Sequence, residues 1–156
     1  MAFKNNVTRL LDSRRVTYTI FELDGDKHSA EDTAARLGVA EDHVYKTLVV
    51  LREPPGKKPL LVMTPAGHEL DLKQLALAVG EKKLKMATQA EAERLTGLQV
   101  GGISALALIN KGFEVYLAES ARDLPFIHVS AGDRRANLRL GVADLVALTR
   151  ARWVRI

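Results

Sequence analysis

A mixed α/β fold in a single domain spanning residues 1–156 is predicted by three observations. The length is that of one domain, enough to bury about two thirds of the unfolded chain's surface around a single core. Hydrophobic residues make up 47% and charged residues 27%, the balance of an ordinary globular protein. Runs with the two-residue period of strands alternate with capped runs of helical period, and no internal repeat, low-complexity tract or linker separates them.

In order along the chain, Val7, Leu10 and Leu11 give residues 3–14 a helical stripe, and residues 16–23 (VTYTIFEL) read as a strand that Asp24-Gly25-Asp26 breaks. Ser29 with Asp32 starts a second helix, Ala34, Ala35 and Leu37 continue it, and Gly38 stops it. The β-branched run at residues 43–50 (HVYKTLVV) is a strand. Glu53-Pro54-Pro55-Gly56-Lys57-Lys58 is a turn between two apolar runs, so residues 48–51 and 60–64 form an antiparallel pair in a meander at the heart of the sheet. Asp71 caps a helix through Leu72, Leu75, Ala76 and Val79 that stops at Gly80. Thr88 with Glu91 forms a capping box for a helix ending near Gly97. A further strand is expected just ahead of Val100-Gly101-Gly102-Ile103-Ser104. Residues 113–117, 126–130 and 138–140 read as strands and residues 144–149 as a terminal helix.

Composition narrows the function classes. The chain has no cysteine, which excludes disulfides, thiolate metal sites and a cysteine nucleophile, so any thiol chemistry must come from a substrate. The histidines His28, His43, His68 and His128 lack metal-ligand spacing, and no metal or other cofactor is expected. No apolar run approaches membrane-spanning length and the N-terminus lacks a signal-peptide core, so a cytoplasmic protein is expected. A net charge of +4 suits a polyanionic partner. Basic clusters at Lys57/Lys58, Lys82/Lys83/Lys85, Arg134/Arg135/Arg139 and Arg150/Arg152/Arg155 read either as solvated faces or as a phosphate-backbone footprint, and 5% aromatic content leaves little for base stacking.

Candidate chemistry centres on Lys46. In a strand Val44, Lys46, Leu48 and Val50 share one face, and Lys46 is the only charge among them. Either its ammonium snorkels from the strand's rim or the strand aims it into a cleft. The pair Gly101-Gly102 is either a tight bend or a backbone that approaches a ligand and points N–H groups at an oxygen. Ser104 and Ser130 lie outside any nucleophile elbow. Ser130-Ala131-Gly132-Asp133-Arg134-Arg135 reads as an anion-binding concavity or as a plain polar hairpin turn.

Three stretches together resemble the YbaK/ProX family of aminoacyl-tRNA editing domains: Val44-Tyr45-Lys46-Thr47-Leu48-Val49-Val50, then Val100-Gly101-Gly102-Ile103-Ser104, then Val129-Ser130-Ala131-Gly132 leading to Asp144-Leu145. The Leu70-Asp71-Leu72-Lys73 helix start and the helix ahead of the double glycine extend the likeness over nearly the whole chain. The resemblance implies a central mixed β-sheet or partly closed barrel flanked by helices. It also implies a freestanding enzyme that deacylates mischarged tRNA, of the Cys-tRNA(Pro) kind or bearing a small amino acid on tRNA(Pro), with prolyl-tRNA synthetase as a possible partner and no metal. By the same resemblance Lys46, Gly101 and Gly102 are catalytic, and Leu23, Ile103, Ser104, Ser130, Gly132 and Asn137 bind substrate. The family usually has proline where this chain has Ala105, and its cysteine-editing members resemble one another in a tyrosine and an aspartate that align with Leu23 and Asn137. In that branch the substrate's own thiol attacks its ester, which makes the reaction a lyase rather than a hydrolase. Leu23 suits a pocket for alanine, serine or threonine instead. The alternative function is a non-catalytic tRNA- or synthetase-binding module, with a small-molecule binder as a third.

Overall fold

The computed structural model describes residues 3–24, 29–53 and 58–156. The expected breaks at Gly25-Asp26 and Pro54-Pro55-Gly56-Lys57, together with His28, lie outside the described residues.

Five helices are present among them: α1 (Asn6–Ser13), α2 (Ala30–Leu37), α3 (Leu72–Val79), α4 (Gln89–Thr96) and α5 (Val142–Thr149). The strands are β1 (Tyr18–Glu22), β2 (Tyr45–Glu53), β3 (Leu60–Pro65), β4 (Lys83–Met86), β5 (Glu114–Ala118), β6 (Phe126–Ser130), β7 (Ala136–Gly141) and β8 (Arg152–Val154). Caps fix the helix ends as the sequence predicts: Ser29, Asp71 and Thr88 accept from first-turn N–H groups, and Gly38, Gly80 and Gly97 close the helices in the left-handed conformation.

The strands form two sheets, an antiparallel one in the order β1-β7-β6 and a mixed one in the order β4-β2-β3-β5-β8. Neither closes into a barrel. The expected antiparallel pair is β2–β3, registered Lys46 to Thr64 and Val50 to Leu60. The expected meander is corrected, since β4 turns back onto the other edge of β2 and β3 pairs in parallel with β5. No strand forms ahead of Val100, because the chain leaves α4 in a bend and turns directly into the glycines.

The odd-numbered face of β2 (Tyr45, Val49) and the facing side of β3 and β5 pack against β6, β7, α1 and α5 in the main core. The opposite face (Val50, Leu60, Val62, Tyr116) is covered by Leu75 and Ala76 of α3, and Val44 by Ala34 of α2 in a small separate cluster. Buried on both sides, β3 is apolar from Leu60 to Met63. Among the described residues no helix is long and apolar enough to cross a membrane.

Thr64, opposite Lys46, is fully buried with a hydroxyl that has no hydrogen-bond partner among the described residues. A buried donor without a partner costs about 1–3 kcal/mol. Thr64→Val is therefore expected to raise the melting temperature by about 2–4 °C, the shift that ~1 kcal/mol gives a chain of this size. An unchanged or lower melting temperature would contradict that reading of the hydroxyl.

Candidate functional site

A cleft of about 500 Å3 opens where β2 loses its neighbour. β4 pairs with β2 only over Val50 to Glu53, and its last contact is the Ala87 N–H to the Val49 carbonyl at 3.1 Å. Thr88 then caps α4 and the chain departs. On the same side Val44 makes a parallel bridge with His128 of β6, which joins the two sheets. Between these two contacts the edge of β2 is bare. The Ala66 N–H bonds the Val44 carbonyl (2.7 Å), so even-numbered β2 residues turn their peptide groups to β3, and the N–H and C=O of Thr47 face the cleft.

Lys46 lines this cleft, half-buried, in the gap between the covers that α2 lays on Val44 and α3 lays on Val50. It makes no ion pair among the described residues. Among the described residues the only other charged one in the lining is Glu31 of α2, whose Oε1 accepts the Gly67 N–H at 2.9 Å. Sequence reasoning passed over Glu31 because it reads as an ordinary first-turn acid. Only the tertiary placement of α2 reveals it.

Of the residues expected at the site, Lys46, Gly101, Ile103, Ser130 and Asn137 converge on the cleft. The other four do not. Gly102 and Gly132 line a second cleft behind the first, and the Gly102 N–H is engaged by the Gln99 carbonyl at 2.8 Å. That amide is thereby removed as an oxyanion donor in this conformation, whereas the Gly101 N–H makes no hydrogen bond among the described residues. Ser104 is buried and its hydroxyl accepts the Ala107 N–H at 3.3 Å. Leu23 lies past the end of β1, its N–H on the Arg135 carbonyl at 2.7 Å, and is no part of the lining.

Asn137 is held from behind. Its Oδ1 lies 3.0 Å from His128 Nδ1, and the Phe21 ring packs on the imidazole. Because Oδ1 only accepts, Nδ1 carries the proton, and the Asn137 Nδ2 donor is left for the cleft. Burial pushes the His128 imidazole below the usual histidine range, against the Asn137 hydrogen bond, and the charges of Arg139 and His43 push the same way as burial.

A family model for the aminoacyl-tRNA editing domain matches residues 24–148. The chain belongs to the aminoacyl-tRNA editing domain family. EbsC of Enterococcus faecalis, named as a Cys-tRNA(Pro)/Cys-tRNA(Cys) deacylase, is 36% identical over 155 residues, covering 98% of this chain and 93% of that protein. The prolyl-tRNA editing protein ProX of Acetoanaerobium sticklandii is 25% identical over 154 residues, covering 97% and 93%. A solved structure described as a trans-editing enzyme for prolyl tRNA synthetase superposes with a TM-score of 0.80 at 26% identity, covering 99% of this chain and 98% of that one.

In this editing domain the neutral His128 has a consequence for stability. A buried histidine with a lowered pKa leaves the folded state binding fewer protons than the unfolded one once pH falls below about 6.5, so stability declines from there downward. The melting temperature is expected to fall between pH 7 and pH 5.5, above the carboxylate range. His128→Asn, which keeps a donor at the Nδ1 position, should flatten that slope; an equal slope in the variant would acquit His128.

Proposed function

We propose that the protein is a trans-editing deacylase that hydrolyses the ester of a mischarged tRNA, with cysteine or another small amino acid on tRNA(Pro) as its substrate. The observation that carries this reading is Lys46: a half-buried cation with no acidic partner among the described residues, in a cleft that Gly101 also lines. An uncompensated cation inside a cleft is waiting for negative charge, and an ester develops that charge on its carbonyl oxygen in the tetrahedral transition state. Lys46 polarises the carbonyl and steadies the oxyanion, with the peptide groups at Gly101 and Thr47 as additional donors. Among the described residues no histidine lines the cleft, so the hydroxyls of that lining have no imidazole beside them. The chemistry rests on orientation and charge, and the attacking group is a water or a group of the substrate itself.

Glu31 completes the recognition. An aminoacyl ester has lost its carboxylate and keeps its α-ammonium, and Glu31 supplies the one anionic side chain among the described residues of the lining. Ser130 and Asn137 present a hydroxyl and an amide to the side chain or ribose hydroxyls. The likeness to proteins named for prolyl-tRNA editing supports prolyl-tRNA synthetase as a partner and the cytoplasm as the place of work.

The test is deacylation of a set of mischarged tRNAs by pure protein. Lys46→Ala is expected to lower the rate by about 100-fold or more at unchanged melting temperature, and Lys46→Arg to rescue poorly because a planar fork does not replace a compact ammonium. Near-wild-type decay by folded Lys46→Ala would remove the lysine from the mechanism. No decay of any aminoacyl-tRNA with wild type would leave a binding module.

Glu31→Gln keeps an oxygen for the Gly67 N–H and loses only the charge. It is expected to raise KM by about tenfold or more, the worth of one charge-assisted hydrogen bond. N-acetylated aminoacyl-tRNA, which has no ammonium, should not distinguish wild type from variant; if it does, Glu31 acts on something other than the amine.

A further inference from the structure

We propose that the second cleft, about 410 Å3 and lined by Leu98, Gln99 and Arg134 among others, is a subsite for the 5′-phosphate of the substrate's terminal nucleotide. This rests on the deacylase reading and adds to it where the nucleotide lies.

The two clefts are separated by one thin wall. Gly101 lines the first and Gly102 the second, one peptide apart. On the facing hairpin Ser130 and Asn137 line the first, and Asp133, Arg134 and Arg135 of the turn between them line the second. A Cβ on Gly102 would lie 2.9 Å from the Arg134 backbone nitrogen and 3.1 Å from the Asp133 carbonyl carbon, so the two chain segments touch at that glycine. The turn is also pinned from outside, where Asn5 donates to the Ala131 carbonyl at 2.8 Å.

The charges in this cleft are unequal. Asp133 is occupied by Arg135, which donates from its backbone N–H at 2.8 Å and from its guanidinium at 3.1 and 3.0 Å. That contact holds the Asp133 carboxyl below the usual carboxylate range. Arg134 makes no ion pair or side-chain hydrogen bond among the described residues, and although its charge also acts on Asp133, two guanidiniums against one carboxylate leave the cleft with a net positive charge. A guanidinium matches a phosphate through paired N–H donors, and Gln99 adds an amide beside it.

The substrate's own covalent structure then sets the distance. The ester sits on a 2′ or 3′ oxygen of the terminal ribose, and the same ribose carries the phosphate on its 5′ oxygen. With the ester carbonyl held between Lys46 and Gly101, the phosphate lies one sugar away, on the side where the second cleft begins one peptide further on at Gly102. A mononucleotide that passes over the rim of the wall would carry its phosphate toward Arg134.

Binding of adenosine 5′-monophosphate and of adenosine to the free protein, followed by amide chemical shifts or calorimetry, tests the subsite without needing turnover. Wild type is expected to prefer the monophosphate by about tenfold or more, with shifts at residues 99–102 and 132–135. Arg134→Ala should abolish that preference and Arg134→Lys keep part of it. With aminoacylated adenosine and its 5′-monophosphate as substrates, the same preference should appear in KM rather than kcat. Equal affinity for the two ligands, or a preference that survives Arg134→Ala, would overturn the subsite. A wild type that deacylates nothing would instead overturn the enzymatic reading, and the nucleotide preference would be judged on its own.

Discussion

The site exists because two sheets share one strand unequally. β2 is paired with β4 at one end and bridged to β6 through Val44 and His128 at the other, and the two neighbours diverge between those points. A continuous sheet would have filled the gap with a ninth backbone and left nothing for a ligand. The bridge is also why residues so far apart in sequence converge, since it brings Ser130 and Asn137 alongside the peptide edge of β2. Remote charges add rigidity rather than chemistry: Arg52, at the far end of β2, is pinned by Glu81 at 2.8 Å and Glu114 at 2.7 Å.

Much of the fold was legible because its boundaries are written locally. Ser29, Asp71 and Thr88 satisfy N–H groups that would otherwise be orphaned, and glycines end three helices where a left-handed residue is required, so each signal needs only its own neighbours. β4 and β8 escaped notice for the opposite reason. Both are short edge strands at the ends of the mixed sheet, and Lys83, Lys85 and Arg152 are exposed, so their composition reads as a basic surface and not as alternation toward a core. Two basic clusters are likewise partly paired within the chain at its surface, Lys83 and Lys85 with Glu53 and Arg155 with Glu119.

The candidate cleft was legible at Lys46, which lines it, because a lone charge on an apolar strand face is anomalous wherever it falls. Motif membership alone was less informative. Gly101 and Gly102 are adjacent, yet one backs onto each cleft, and Ser104 in the same stretch points into the protein. Which side of a turn faces a ligand depends on what packs against it, here the Asp133–Arg134 backbone, and no local pattern encodes that. Glu31 and His128 were invisible for the same reason.

The wall that carries Glu31 is lightly built. Among the described residues α2 is anchored by a cluster with Ala34, Val44 and Ala66 as its buried members and by hydrogen bonds that include Glu31 to Gly67 and Arg36 to the Asp24 carbonyl, while α3 sets Leu75 against five strands of apolar surface. Small side chains bury little area, so the apolar anchor of α2 is weaker than that of α3 and local opening is expected there before the sheets open. A ligand amine gripping Glu31 would tether that helix across the cleft to β2, so that occupancy and closure become one event.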